Sequence, residues 1–256
     1  MPKNIKIFLS SVQHVSTVVP ANFEPYYVLE SYWYLKSNGK QTKQLMNWFL
    51  KAKMFLLDSG AFTFMNCKNK KTDFDAYVDG YIKFINDWDV KYFFEMDLDA
   101  LMPYSEVLKL RERIENGTGK RCIPVWHKSR GREEWTKMCQ EYDIVAIGGI
   151  ASKEIKPAEY GMIYEMCEEA KKYNCIVHGL GFLRLKLINE DKCPFDMVDG
   201  SGWQGHMRGK TYKIEDGKLN SYDKKGVYWK DLCVECYDAW DRYCKIKDKV
   251  VCENQL

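Results

Sequence analysis

The stretch FDMVDGSGWQ, residues 195–204, runs from an apolar opening into an abrupt polar stop: Phe195, Met197 and Val198 lead to Asp199, and Gly200, Ser201 and Gly202 follow. A short apolar run bounded by glycines reads as a buried strand, with Asp199 where the strand ends. The same form recurs upstream in IKIFLS (5–10), MFLLDSG (54–60), KYFFEMDLD (91–99), CIPVWH (122–127), DIVAIGG (143–149) and CIVHGLG (175–181). Seven strands are predicted.

Between these runs lie helical patterns. In DFDAYVDGYIKFINDW, Phe74, Tyr77, Val78, Tyr81 and Ile85 recur at helical spacing, and PAEYGMIYEMCEEAKKY begins with Pro157, suited to a first turn. Apolar strands alternating with helices predict a parallel sheet covered by helices. The strand ends at Asp58, Asp97, His127, Gly149, His178 and Asp199 are about 20 to 40 residues apart, bracketing the roughly 30 per unit of an eight-fold barrel. The expected fold is α/β, a TIM-like (β/α)8 barrel spanning residues 1–256 as a single domain, with a C-terminal elaboration over about 205–256. A doubly wound sheet is the competitor, but FLSSVQHVSTVVP after the first strand has no glycine for a phosphate turn. No eighth strand stands out: TYKIEDGKLNSY, turning at Asp216-Gly217, reads as a hairpin.

With 256 residues, 46% of them hydrophobic, the chain can bury a full core. A net charge of +3 is far from that of a histone-like binder, so nucleic-acid contact would have to come from local clusters. The ten cysteines are scattered through core segments and no secretory h-region precedes them, which predicts reduced thiols and a cytoplasmic protein. No apolar run approaches the roughly 20 residues of a membrane span.

Ligands of both folds bind at the C-terminal ends of the strands, and here those ends are polar: Asp58, Asp97 and Asp99, His127, His178 and Asp199, with Gly148 and Gly149 as bare backbone. Any one aspartate there could simply cap a turn. Five polar ends together suit chemistry at an anomeric carbon, where one carboxylate attacks and another handles protons. Metal-assisted hydrolysis ranks second, because no HxH pair or clustered His and Asp set occurs among four histidines.

DSGAF (58–62), AIGGIA (146–151), HGLGF (178–182) and FDMVDGSGW (195–203), in that order, resemble the motif series of the tRNA-guanine transglycosylase superfamily. The resemblance covers roughly residues 54–210 and is closest to the short phage-type branch that places 7-deazaguanines in DNA. It implies base exchange through a covalent glycosyl-enzyme intermediate, with no cofactor needed for the chemistry. Asp199 is the implied nucleophile, Asp58 the general acid/base and Asp97 the base-recognising carboxylate, with Ser59, Phe62, Gly148, Gly149, His127, His178, Gly179 and Trp203 around the base. The implied partners are a free 7-deazaguanine and DNA, with tRNA as the alternative polymer. A nucleoside or sugar glycosidase and a catalytically silent nucleic-acid-binding barrel are the further alternatives.

The chain departs from the family in two places. IPVWHKS puts Trp126 and His127 where tRNA-acting members carry a glutamine and glycines, and the family's zinc motif is reduced to Cys233 and Cys236 with Cys244 and Cys252 further on. These cysteines read equally as a structural zinc site or as helix-face thiols. Basic residues crowd three strand-end loops: Lys68, Lys70 and Lys71; Lys128, Arg130 and Arg132; and Arg208, Lys210 and Lys213. In a barrel all three loops would rim one mouth and form a track for a phosphate backbone.

Overall fold

The computed structural model describes residues 4–12, 24–36, 39–61, 63 and 73–249. Eight strands form one all-parallel, curled sheet: β1 Lys6–Ser10, β2 Tyr27–Ser31, β3 Met54–Asp58, β4 Tyr92–Phe93, β5 Val125–Trp126, β6 Ile144–Ile147, β7 Ile176–Gly179 and β8 Met197–Gly200. Their order is β4-β3-β2-β1-β8-β7-β6-β5, so every strand except β4 and β5, which end the order, pairs with both its sequence neighbours, β1 joining β8. All seven expected strands are present. The eighth is β2, from YVLES, and the TYKIEDGKLNSY segment forms the expected antiparallel hairpin, β9 Lys210–Glu215 and β10 Lys218–Asp223. Asp216 and Gly217 both take positive φ, as a two-residue hairpin turn requires.

At the seam between β4 and β5 the pairing is a single parallel bridge, Phe94 to Ile123, and no continuous ladder closes the sheet there. The local chemistry accounts for this. Ile123 N–H donates to Phe93 O (2.8 Å) and Glu95 N–H to Ile123 O (3.1 Å), but Pro124 has no N–H. The next donor, Val125 N–H, is taken by the Glu95 carboxylate at 2.6 Å. A side chain has replaced the backbone acceptor, and the ladder stops.

Eight helices occur among the described residues: α1 Tyr32–Leu35, α2 Gly39–Phe49, α3 Phe74–Asp87, α4 Tyr104–Thr118, α5 Gly131–Glu141, α6 Tyr160–Lys171, α7 Leu185–Asn189 and α8 Trp229–Lys249. Helix α3 starts where Asp73 accepts the Ala76 N–H (3.1 Å), and its Tyr77, Val78, Tyr81 and Ile85 are buried, as their spacing predicts. The Tyr81 hydroxyl then contacts both Phe94 O (2.9 Å) and Leu57 O (3.2 Å), holding β3 and the end of β4 at one level. Two cores result, one on each face of the sheet. Helices cover the outer one, while Phe8, Tyr27, Leu29, Leu56, Phe94, Ile123, Val125, Ala146 and Met197 fill the inside of the curl. The C-terminal helix α8 reaches the opposite end of the sheet, where Ile5 N–H donates to Lys247 O and Tyr26 N–H to Asp241. No helix among the described residues is long and apolar enough to cross a membrane.

Candidate active site

Strand pleating raises the inner core by one level to make the site. Side chains two residues apart share a face, so the position after each inward apolar residue sits above it: Ser10 above Phe8, Ser31 above Leu29, Asp58 above Leu56, His127 above Val125 and Asp199 above Met197. The lower layer, His178 apart, is apolar and the upper one is polar. Asp58, Asp97, His127 and Asp199 line a cavity of about 260 Å³, with Ser10, Glu30, Ser31, Tyr34, Gly149 and Gly181 completing much of its wall. Three of the aspartates that end strands in the sequence, Asp58, Asp97 and Asp199, thus lie at one mouth. Asp196, the other aspartate of FDMVD, is elsewhere and accepts the Val177 N–H (2.9 Å).

Each aspartate is held differently. Asp58 accepts the Gly60 N–H at 2.9 Å. Burial, and then the charges of Asp97 and Asp199, push its carboxyl up to about 7. Burial also raises Asp97, opposed in part by His127, whose Nε2 lies 3.4 Å from Asp97 Oδ2. His127 Nδ1 is 3.1 Å from Glu154, and Glu154 in turn accepts the Lys128 N–H (3.0 Å). Burial alone would lower His127, but its bonds to Asp97 and Glu154 outweigh this and hold it up to about 10, an imidazolium at neutral pH. Asp199 Oδ1 accepts from the Gly181 N–H (2.7 Å) and lies 3.0 Å from His178 Nε2.

Several expected base neighbours have other work. Trp203 is fully buried, donates its indole N–H to Ser10 O (2.8 Å) and packs edge-on against Tyr237; it is core rather than a stacking surface. A Cβ on Gly179 would stand 2.5 Å from the Phe195 ring, so that glycine serves packing. Ser59 is buried and its Oγ faces the Ala61 N–H (3.4 Å) outside the cavity wall. Gly148 makes room for His127, whose ring would be 2.8 Å from an added Cβ. His178 lies under Asp199, fully buried. Phe62 lies outside the described residues.

One of the three basic loops, that of Lys128, Arg130 and Arg132, is compensated by acidic partners. Arg130 is a correction: its side chain is wholly buried and pairs with Glu95 (2.8 Å) and in bidentate fashion with Asp99 (2.7 and 2.5 Å), while stacking over Tyr104, so it offers nothing to a phosphate. Lys128 pairs with Glu159, and Arg132 with Glu169. Arg208 and Lys210 border a separate groove with Tyr212 and Trp240. Lys68, Lys70 and Lys71 lie outside the described residues.

Cys233, Cys236 and Cys244 are buried on α8, and Cys252 is outside the described residues. Cys236 lies 3.1 Å from Lys210 O, an acceptor for its S–H, and burial pushes its thiol up to about 12. Among the described residues no group of three or more His, Cys, Asp or Glu could hold a metal ion.

Residues missed by sequence reasoning are Glu30, Ser31 and Tyr34, from the unrecognised β2 and the helix after it, and Glu154, the partner of His127. Only the apolar run YYVL before Glu30 could have pointed to the first group. No family model and no curated protein matches the chain.

Proposed function

We propose that this protein is a base-exchange glycosyltransferase that replaces guanine in DNA with a 7-deazaguanine through a covalent Asp199-glycosyl intermediate, on a TIM-like barrel whose weakest seam is β4–β5. One observation carries the proposal. Asp58, Asp97 and Asp199 converge on one cavity, and neither arginine nor lysine is among the described residues that line it.

In the first half-reaction Asp199 attacks C1′ and the C1′–N bond breaks, its electron pair leaving with the base. Asp58 supplies the proton that the departing base takes up. In the second, Asp58 removes a proton from the incoming 7-deazaguanine, whose nitrogen attacks C1′ and returns the ester electrons to Asp199. Bonds and protons balance, and no cofactor is consumed. An acid/base that titrates near neutrality suits both halves, which is the role burial prepares for Asp58. Asp97, lying 3.4 Å from the His127 imidazolium, is suited to accept the N1 and N2 donors of a guanine-type base.

The compensation of Lys128, Arg130 and Arg132 favours a second reading, glycosyl transfer on a free nucleoside. Incubating the protein with labelled guanine or 7-deazaguanine and, in parallel, duplex DNA, tRNA or guanine nucleosides tests both. Label entering DNA is the expected result. Label entering tRNA or the nucleoside alone would replace the substrate, and label entering none of them would remove the activity.

A further inference from the structure

We propose that His178 is a positioning residue that, together with the Gly181 amide, immobilises Oδ1 of Asp199 and leaves Oδ2 as the oxygen that attacks C1′. The proposal rests on Asp199 being the nucleophile, and adds which of its atoms reacts and what fixes that choice.

His178 occupies the inner face of β7, level with Met197 and Ala146 in the ladders on either side. Its ladder partners Ala146 and Met197 are apolar and belong to the inner core with Phe8 and Phe94, so a fully buried imidazole there is out of place unless something above requires it. The Phe8 and Phe94 rings flank it at 5.9 and 5.4 Å between centroids, tilted by 65° and 60°. Its Nε2 meets Asp199 Oδ1 at 3.0 Å, and its Nδ1 is buried with no hydrogen-bond partner among the described residues.

These two facts fix the tautomer. A proton on Nδ1 would bury a donor without an acceptor and turn the Nε2 lone pair onto a carboxylate oxygen. With the proton on Nε2, the ring donates to Asp199 and only the weaker loss, an unused acceptor, is buried. The same oxygen accepts from Gly181 N–H at 2.7 Å. That amide is aimed by a left-handed turn, φ +70°, where a side chain would be strained. Two donors thus converge on Oδ1, and Oδ2 makes no hydrogen bond to a described residue. An oxygen held by two donors is the poorer nucleophile, because its charge is already engaged, which leaves Oδ2 as the attacking oxygen of a carboxylate that lines the cavity.

Ring-15N histidine labelling of the intact protein reads the tautomer without any variant or substrate. The expected result is a His178 signal pair with Nε2 protonated and Nδ1 bare, perturbed in Asp199→Asn. The kinetic arm compares His178→Leu, which keeps bulk and removes the donor, with His178→Gln, whose amide can return an N–H to the same oxygen. His178→Leu should lower kcat by roughly 10- to 100-fold with KM for the polymer unchanged, and His178→Gln should recover most of the loss. A proton found on Nδ1, or a His178→Leu enzyme with wild-type kcat, overturns the proposal. A wild-type protein with the Nε2–H tautomer but no base exchange would instead remove the transglycosylase reading while leaving the His178–Asp199 arrangement standing.

Discussion

Glu95, Asp97 and Asp99 sit within five residues of one another after β4, yet they belong to two different regions. Glu95 and Asp99 point into a buried cluster with Arg111 and Arg130: Glu95 bonds Arg111 (2.7 Å) and Arg130 (2.8 Å), and Asp99 grips the same Arg130. Burial alone would raise Glu95, but the Arg130 and Arg111 charges outweigh it and hold the carboxyl below its usual range. Asp97 lines the cavity, where its companions are Asp58 and Asp199 and it pairs with a histidine rather than an arginine. Neighbouring carboxylates of equal burial thus differ by what faces them. Those matched by guanidinium serve as architecture, and those crowded together without it keep reactivity available.

The sharpest break of this comparison is Asp199→Asn. If the cavity carboxylates are chemical, the variant folds with an unchanged Tm and loses base exchange by about 10,000-fold or more, with no covalent adduct on denaturing gels. An adduct that persists would return Asp199 to the architectural class. Arg130→Met is the complementary test. It strands Asp99 and leaves Glu95 with Arg111 alone, and should cost about 3–5 kcal/mol in denaturant unfolding, since one partner of a buried ion cluster is removed and the carboxylates remain. A shift below about 1 kcal/mol would show that the cluster tolerates an uncompensated charge.

Asp58→Asn should lower exchange by roughly 100- to 1,000-fold, and it carries a pH signature. Because the folded carboxyl is raised from 3.8 to about 7, the folded state holds a proton that the unfolded state has released between those values. Wild-type stability therefore falls as pH rises through that window, and the whole penalty is present above about 7. Asp58→Asn should be more stable than wild type at pH 8, with the advantage shrinking toward pH 4, as followed by thermal unfolding. In the wild type, adduct formation in a single turnover should decline above about pH 7, where Asp58 has lost the proton it gives to the departing base. The smallest effect belongs to Asp97→Asn, which should reduce kcat/KM by about 10- to 100-fold through base recognition while leaving Tm equal or higher. Stability lost at Asp97 on the scale of Arg130→Met would erase the distinction between the two regions.

Much of this was legible in the chain. Seven of the eight parallel strands follow from apolar runs ending in glycine or a polar residue, and three of those ends, Asp58, Asp97 and Asp199, meet in one cavity. Period-two alternation makes that outcome nearly automatic, because the residue that ends an inward-facing series must stand on the rim above it. β2 escaped because YVLES carries Glu30 inside its run, and a buried carboxylate in a strand has no local signature.

What the sequence determined by itself was the fold class and the identity of the carboxylates, since both depend on patterns within a few residues along the chain. What only the tertiary structure decided was the partnership of each charge. Arg130 looks from the sequence like a rim cation beside Lys128 and Arg132, and becomes the buried counter-ion of Glu95 and Asp99, 35 and 31 residues away. His178 looks like part of the base pocket and lies instead beneath Asp199, 21 residues on. Electrostatic interaction depends on distance through space and on exclusion of water, and neither is written in the order of residues until the chain has folded.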